Sequence, residues 1–362
     1  MKRLRVLALA SYPVEAASSR YRIVQFIEPL AARGIDVTFS PLLDSALFAA
    51  LYRPGKLLLR LPRVAVRSLG RVGALIAASK SDVVFVQREA MLFGPPLIEW
   101  LASSVLHRPL VLDLDDATWI PYASPVYGRI ATMLKWPSKT DRLIRMARIV
   151  TCGSPNIADY VRSRGADAMV VPTVVDTRRF RPAPSRANGI PTIGWIGTHG
   201  TYPFFERLIP IFERLAREVP FRLTIIGSGR DQIEVKGVEV ETRPWRLEAE
   251  VEDFQSLDIG VYPIADDAWS AGKAGFKAVQ YMATGVPFVM SPIGVCATMG
   301  IAGQTHFAAI TDDDWLDALR RLVVDATLRA RMSADGRAFA EQHYDIDAQA
   351  EALAAVIRGV AS

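Results

Sequence analysis

Short apolar segments alternate with helical patterns twice along this chain, and a proline-rich stretch separates the two runs. That rhythm limits the fold more than any other feature. In the first run the apolar segments are residues 5–10, 36–40, 83–87, 110–113, 149–152 and 168–171, rich in Val, Ile and Leu. Helical periodicity fills residues 21–33, 95–104, 139–147 and 155–164 between them. Short β-branched strands alternating with helices build βαβ units, whose parallel sheet is covered on both faces. From 173 to 190 the sequence reads TVVDTRRFRPAPSRANGI, with prolines, basic side chains and no long apolar run. Such a stretch predicts an inter-domain linker. The second run places strands at 192–196, 222–226, 238–241, 259–263 and 288–291, and helices at 203–218, 248–256 and 276–283; from Asp312 onward the pattern is helical and amphipathic. The expected fold is α/β, with two Rossmann-like doubly wound domains facing a cleft. The first spans residues 1–172 and the second 191–346. Open sheets of this kind bind ligands beyond the carboxyl ends of their strands, so the chemistry is sought there.

Composition narrows the function classes. Lys and Arg number 43 against 38 Asp and Glu, a net +5 that falls short of a nucleic-acid-coating surface. The two cysteines, Cys152 and Cys296, fit no zinc spacing and no disulfide framework, so a reducing compartment is expected. The opening MKRLRVLALASYP imitates a signal peptide, but its apolar run 6–10 is shorter than the ~7–15 residues a signal needs. No run approaches the ~18 apolar residues of a membrane span. The expectation is a cytoplasmic protein, or one peripheral to the inner face of the plasma membrane.

The strongest local signal is SAGKAGFKAVQYMATGVPFVMSPIGV, residues 270–295. Gly272 and Gly275 bracket Lys273 in a loop that opens onto a helix carrying Phe276, Lys277 and Gln280. Loop amides at a helix N-terminus, with two ammonium groups, suit a diphosphate. Lys273 and Lys277 share a helical face if the helix begins by Lys273. An ordinary amphipathic helix with solvated lysines is the open alternative.

QYMATGVPFV, residues 280–289, resembles the A-M-A-x-G-x-P-V-V stretch of glycosyltransferase family 4, a retaining family of GT-B fold. In that family a Glu, seven residues and a second Glu precede the stretch. Here Gly272 and Gln280 occupy those positions, so both acids are absent. The resemblance gives the second position the donor ribose hydroxyls, a role Gln280 can fill, and the first the transferred sugar. TIGWIGTHG, residues 192–200, resembles the first strand and loop of the nucleotide-binding domain, which places Gly197, Thr198 and His199 on the donor. The family's Arg and Lys clamp is missing there, and Thr198 and Tyr202 stand in its place. Lys273 and Lys277 are expected to carry that charge instead. IIGSGR and Arg243-Pro244-Trp245 resemble the loops around the base, with Trp245 as a packing surface or a core residue. A dinucleotide reading of GWIGTHG has the wrong glycine spacing, and no acid follows the next strand at Gly227-Ser228-Gly229.

In the first domain, Ser18-Ser19-Arg20-Tyr21-Arg22 stands where relatives carry a phosphate-contacting loop. Ser19, Arg20 and Arg22 are therefore candidates for an anion, with a serine-capped helix as the alternative. DLDDATW, residues 113–119, ends a buried strand in carboxylates that are costly without a partner. Asp115 and Asp116 are expected to orient the acceptor hydroxyl, or else to cap a helix or pair with an arginine. Glu89, in Gln87-Arg88-Glu89, is placed on the acceptor side. A metal at Asp-x-Asp is set aside, because the family works without an essential one. Lys277, stabilising the departing diphosphate, joins Asp115 and Asp116 as the catalytic set.

Residues 45–81 contain no acid and seven cations: Arg53, Lys56, Arg60, Arg63, Arg67, Arg71 and Lys80. The first six recur at helical spacing, so Arg60, Arg63 and Arg67 are candidates for docking on anionic lipid, against a merely solvated face. The resemblance implies transfer of a sugar, with retention, from a nucleotide-diphosphate donor to a lipid-linked or surface-polysaccharide acceptor. It implies neither cofactor nor nucleic-acid partner. It also implies a final helix, 347–362, returning to the first domain. A non-catalytic GT-B scaffold and a sugar-nucleotide epimerase are the competing readings.

Overall fold

The computed structural model describes residues 3–51, 61–121, 136, 138–183 and 189–362. The chain forms two compact units. One comprises Met1–Thr173, Gly272–Ala274 and Ile346–Ser362; the other comprises Val174–Ala271 and Gly275–Asp345.

The first unit is built on a parallel six-stranded sheet, β1 (Leu4–Ala10), β2 (Ile35–Pro41), β3 (Val83–Gln87), β4 (Leu110–Leu114), β5 (Ile149–Cys152) and β6 (Ala168–Val170), in the order β2-β1-β3-β4-β5-β6. Every residue of β3 and β4 is buried, because helices cover both faces and leave no solvent side to alternate with. Leu7, Leu9, Val84, Val86, Leu112, Val150 and Ile157 belong to the core of one face. On the other, Leu353 and Ile357 of the final helix, Ile346–Ala361, share a seam with Val6, Ala8, Phe26, Leu30 and Phe85. The single helix expected over 21–33 is instead Ala17–Arg22, a 3-10 turn Val24–Phe26 and Ile27–Ala32. Ile23 causes the break, its backbone leaving the helical region at φ −129°.

The second unit repeats the plan with β7 (Thr192–Ile196), β8 (Arg222–Ile226), β9 (Glu239–Arg243), β10 (Ile259–Tyr262), β11 (Phe288–Met290) and β12 (Phe307–Ala308), ordered β12-β11-β10-β7-β8-β9 and all parallel. The short edge strand β12 carries too little pattern to be read from sequence. A row of tilted aromatic rings, Trp195 to Phe205 at 5.3 Å and Phe205 to Phe212 at 5.6 Å, packs in the core of this unit. The helix expected over 203–218 divides into Tyr202–Glu206 and Ile209–Leu215. Pro210, in the first turn of the second piece, has no N–H to carry the ladder across. Asp312–Val324 begins with a capping box, Thr311 and Asp314 each bonding the other's backbone N–H.

The strand order reverses between β1 and β3 in the first sheet and between β7 and β10 in the second. Crevices open at such reversals beyond the strands' carboxyl ends. Cys152 and Cys296 are both free and buried. Among the described residues no helix is long and apolar enough to cross a membrane.

Candidate functional site

In the second unit, three loops meet beyond β7, β8 and β9. Gly197 N–H donates to the Ile226 carbonyl at 3.0 Å and Gly227 N–H to the Arg243 carbonyl at 2.9 Å, which staggers the loops side by side. Gly227 has φ +80°, and a Cβ on it would lie 2.3 Å from the Gly197 carbonyl oxygen and 3.2 Å from Trp245 Cβ. Only glycine permits that approach. Trp245 is half-buried over this junction. Thr198 is exposed, and its N–H is fixed by Thr201 Oγ1 at 3.0 Å. Burial lowers the pKa of His199 beside it, favouring the neutral ring at pH 7.

Across the reversal, the chain leaving β10 runs through the helix Ala268–Ala271 to the helix Phe276–Ala283. Gly275 precedes that helix in the left-handed conformation, φ +67°. The helix therefore starts at Phe276, and Lys273 lies outside it. This corrects the expectation of one shared lysine face: the left-handed residue between the two lysines breaks the periodicity. Lys273 and Ala274 group with the first unit, whereas Lys277 stays in the second. Lys277 Nζ donates to Gln280 Oε1 at 3.0 Å and stands 5.1 Å from the centroid of the Phe254 ring. Gln280 has no exposed surface, and its Nε2 donates to Glu250 Oε1 at 3.2 Å. The side chain expected on a ribose is thus turned inward between an ammonium and a buried carboxylate. Glu250 escaped sequence reading, because one more Glu in the run EAEVED carries no mark of burial.

In the first unit, β3 ends at Gln87 and is followed by Arg88-Glu89, and β4 ends at Leu114 and is followed by Asp115-Asp116. Arg88 has φ +59°, uncommon for a residue with a side chain. Its N–H donates to the Asp113 carbonyl at 2.8 Å, and its guanidinium forks onto Asp115, Nε to Oδ1 at 2.5 Å and Nη2 to Oδ2 at 2.9 Å. Gln87 Nε2 adds a third bond to Asp115 at 2.9 Å. Burial alone would raise the Asp115 pKa, but the charge and hydrogen bond of Arg88, together with the charge of Arg22, outweigh it and hold the carboxyl below its usual range. Asp115 is therefore an arginine partner and a poor proton acceptor, which corrects half of the expected acceptor pair. Asp116 differs. Burial pushes its pKa up, and the charges of Arg88 and Lys273 offset that only in part. Gly272 lies against Ala117, where a Cβ would come within 2.3 Å of the alanine methyl, so no side chain fits in this arrangement.

Buried charges also brace the loop after β3. Glu89, expected on the acceptor side, pairs with Lys139, whose Nζ also donates to the Met91 carbonyl at 2.8 Å. Glu99 accepts from the Ala90 N–H at 2.8 Å. Arg71 donates to the carbonyls of Ala10 at 2.9 Å, Ser40 at 2.8 Å and Ala90 at 3.1 Å. Burial lowers the Arg71 pKa to about 10. This cation of the acid-free stretch belongs to the interior, because its several donors tie the ends of β1 and β2 to the loop after β3.

The expected anion loop is corrected as well. Its helix begins at Ala17, so Ser19 lies within it, buried, and donates to the Tyr12 carbonyl at 2.7 Å. Arg20 Nη1 donates to the carbonyls of Val14 and Glu15 at 2.8 and 3.0 Å. Arg22 is enclosed, forked onto Asp113 at 2.6 and 3.0 Å and bonded to the Val171 carbonyl at 2.6 Å. With 1% of its side chain exposed it reaches no ligand. Of the lipid-docking candidates, Arg63 and Arg67 are exposed on the helix Leu61–Gly70, Arg67 pairing with Asp44 at 2.5 Å. Arg60 lies outside the described residues. Among the described residues no three His, Cys, Asp or Glu side chains gather as a metal cluster.

Residues 190–325 match the family model described as glycosyl transferases group 1. That segment holds Gly197, Gly227, Trp245, Glu250, Lys277 and Gln280. No curated protein matches the chain. Among solved structures, HepE of Anabaena in complex with UDP-glucose is 15% identical, with a TM-score of 0.70 over 99% of this chain and 100% of that one. Sucrose-phosphate synthase from Thermosynechococcus elongatus is 14% identical at a TM-score of 0.69, covering 99% of each chain. The apo lipopolysaccharide outer core galactosyltransferase WaaB is 14% identical at 0.60, over 98% of this chain and 100% of that one. These likenesses show the fold, which is GT-B.

Proposed function

We propose that this chain is a glycosyltransferase that binds a nucleoside-diphosphate sugar in its second unit and passes the sugar to an acceptor hydroxyl. One observation carries the reading. The close-packed loops beyond β7, β8 and β9 and the helix Phe276–Ala283, whose first turn carries Lys277, follow strands on either side of the strand-order reversal and all lie within the segment matching glycosyl transferases group 1. The base packs against Trp245, and the loop of Gly197, Thr198 and His199 borders the donor. The N–H groups opening the 276–283 helix and the Lys277 ammonium take the diphosphate. As the glycosidic bond to phosphate breaks, charge develops on the leaving oxygen, and a fixed ammonium in a dry site stabilises it. That charge supply motivates the metal-independent reading, and activity is expected to survive a chelator. Within the first unit, Asp116, with its raised pKa, is the carboxyl better suited to accept a hydrogen bond from an acceptor hydroxyl. HepE, crystallised with UDP-glucose, supports the donor class.

The finer reading is a retaining enzyme of glycosyltransferase family 4, supported by QYMATGVPFV at 280–289. A lipid-linked or surface-polysaccharide acceptor at the inner face of the plasma membrane accompanies it. Exposed Arg63 and Arg67 stand with exposed Val66 and Leu69 on one helix, a mixed basic and apolar surface suited to anionic lipid. Cosedimentation with phosphatidylglycerol vesicles, lost in Arg63→Glu/Arg67→Glu, tests that part; equal sedimentation of both forms refutes it.

The decisive experiment incubates the chain with a panel of nucleoside-diphosphate sugars and membrane glycolipid acceptors, following nucleoside-diphosphate release and binding by calorimetry. The expected result is tight binding of one donor with acceptor-dependent release. Lys277→Met should weaken that binding roughly 10- to 100-fold, the worth of a charge-assisted bond of ~1.5–3 kcal/mol. Donor binding without turnover favours the scaffold reading, for which the missing acids at Gly272 and Gln280 speak. Interconversion of donors without release favours an epimerase. Failure to bind any nucleotide refutes all three.

A further inference from the structure

We propose that Glu250 is a positioning residue that, acting through Gln280, holds Lys277 as a cation for the donor diphosphate without neutralising it. The proposal rests on the donor reading above and names how that charge is kept available. Lys277 and Gln280 are three residues apart on the helix Phe276–Ala283, and Glu250 and Phe254 are four apart on the helix Glu250–Gln255. Those spacings put each pair on one face of its helix. The two faces meet: Phe254 lies under the ammonium at 5.1 Å, and Gln280 links that ammonium at 3.0 Å to the Glu250 carboxylate at 3.2 Å.

The chemistry fixes which way the Gln280 amide points. An ammonium only donates and an ionised carboxylate only accepts, so Oε1 faces Lys277 and Nε2 faces Glu250. An acid at position 280 would change both ends. It would put a carboxylate in direct contact with the ammonium, cancelling the field a phosphate should feel. It would also bring a second carboxylate against buried Glu250, where two negative charges raise each other's energy. With glutamine, Lys277 meets a neutral dipole at 3.0 Å and a ring face at 5.1 Å, and the Glu250 carboxylate stands behind the amide. The acid of this cluster comes from the neighbouring helix, with an amide interposed.

An acid introduced at 280 should therefore damage the site. The test uses the full chain as wild type, Gln280→Glu, Glu250→Ala, Glu250→Gln and the double variant Glu250→Gln/Gln280→Glu. It measures thermal stability and calorimetric binding of the best of UDP, GDP, TDP and ADP, with the matching nucleoside as uncharged comparator. Gln280→Glu should weaken the nucleoside diphosphate at least tenfold, leave the nucleoside unchanged and lower the melting temperature. Glu250→Ala, which removes the acceptor for Gln280, should weaken the nucleoside diphosphate at least tenfold and leave the nucleoside unchanged. Glu250→Gln, which keeps an acceptor, should recover most of that loss. Diphosphate binding by Glu250→Ala equal to wild type overturns the proposal. In the double variant the amide introduced at position 250 can donate to the carboxylate introduced at position 280, so stability should return while diphosphate affinity stays low. Undiminished diphosphate binding by Gln280→Glu overturns the proposal. Recovery of both stability and affinity in the double variant also overturns it, since that marks a merely structural pair. A wild type that binds no nucleoside diphosphate instead removes the donor reading beneath it.

Discussion

Replacing Gly227 by alanine should separate two costs that usually arrive together. The residue has φ +80°, where an L side chain pays for the left-handed backbone, ~1–2 kcal/mol. Its added Cβ would also lie 2.3 Å from the Gly197 carbonyl oxygen. Ordinary carbon–oxygen contacts begin near ~3.3 Å, so the overlap is about 1 Å against backbone. Gly197 is anchored by its own N–H to the Ile226 carbonyl at 3.0 Å, so relief requires moving the loop after β7 against its sheet. Forced repacking of this kind costs ~1–3 kcal/mol. Gly303 supplies the control in the same unit, with φ +81° and nothing within 4 Å of its added Cβ. Gly303→Ala should show only the backbone cost, reduced by the ~0.4–1 kcal/mol that alanine gains by restricting the unfolded chain. Gly227→Ala should therefore melt lower than Gly303→Ala by the packing cost alone, about 2–4 °C per kcal/mol for a unit of this size. Because the displaced loop carries Thr198 and His199, nucleoside-diphosphate binding should fall in Gly227→Ala and not in Gly303→Ala. Scanning calorimetry and titration calorimetry on the two variants read both effects. Equal melting temperatures with equal nucleotide affinity would refute the close-approach argument.

His306 should give the fold an acid-sensitive component. Burial lowers its pKa to about 4, with the ring stacked on Phe288 at 5.3 Å. The unfolded chain takes up the proton near pH 6.5, so this stability is present above pH 6.5 and lost as pH falls toward 4, about 3 kcal/mol in all. Denaturant unfolding from pH 7 to 4 should show that slope in wild type and a flatter one in His306→Phe; parallel curves would contradict it. Arg22→Met should destabilise the first unit by ~3–5 kcal/mol, because it strands Asp113, whose side chain is 2% exposed. Arg22→Met/Asp113→Leu should recover much of that loss, and a double variant no better than the single one would count against the ion-pair account.

Strand content was legible because a parallel strand covered on both faces must be apolar throughout. VVFVQ at 83–87 and TIGWI at 192–196 announce themselves this way, and the structure has strands over those same residues. Helix breaks at Ile23 and Pro210 were harder, since local backbone choices interrupt a periodicity that continues through them. The glycine- and lysine-rich segment at 270–295 could be singled out by composition, but its internal geometry could not. The left-handed Gly275 moved Lys273 out of the helix and left Lys277 in its first turn.

By itself, then, the sequence determined two parallel α/β sheets and the loops at the carboxyl ends of their strands, because burial pattern and turn chemistry are local properties. Tertiary structure decided which charges are available to a ligand. Arg22 and Asp115 look like site residues in one dimension and prove to be held by opposite charges distant in the chain, and Arg71, one cation of a basic stretch, is tied to a strand-end carbonyl. Glu250 looks like a surface acid and lies buried behind Gln280. A charge declares its type in sequence, but the group that satisfies it comes from another loop, and only folding brings the two together.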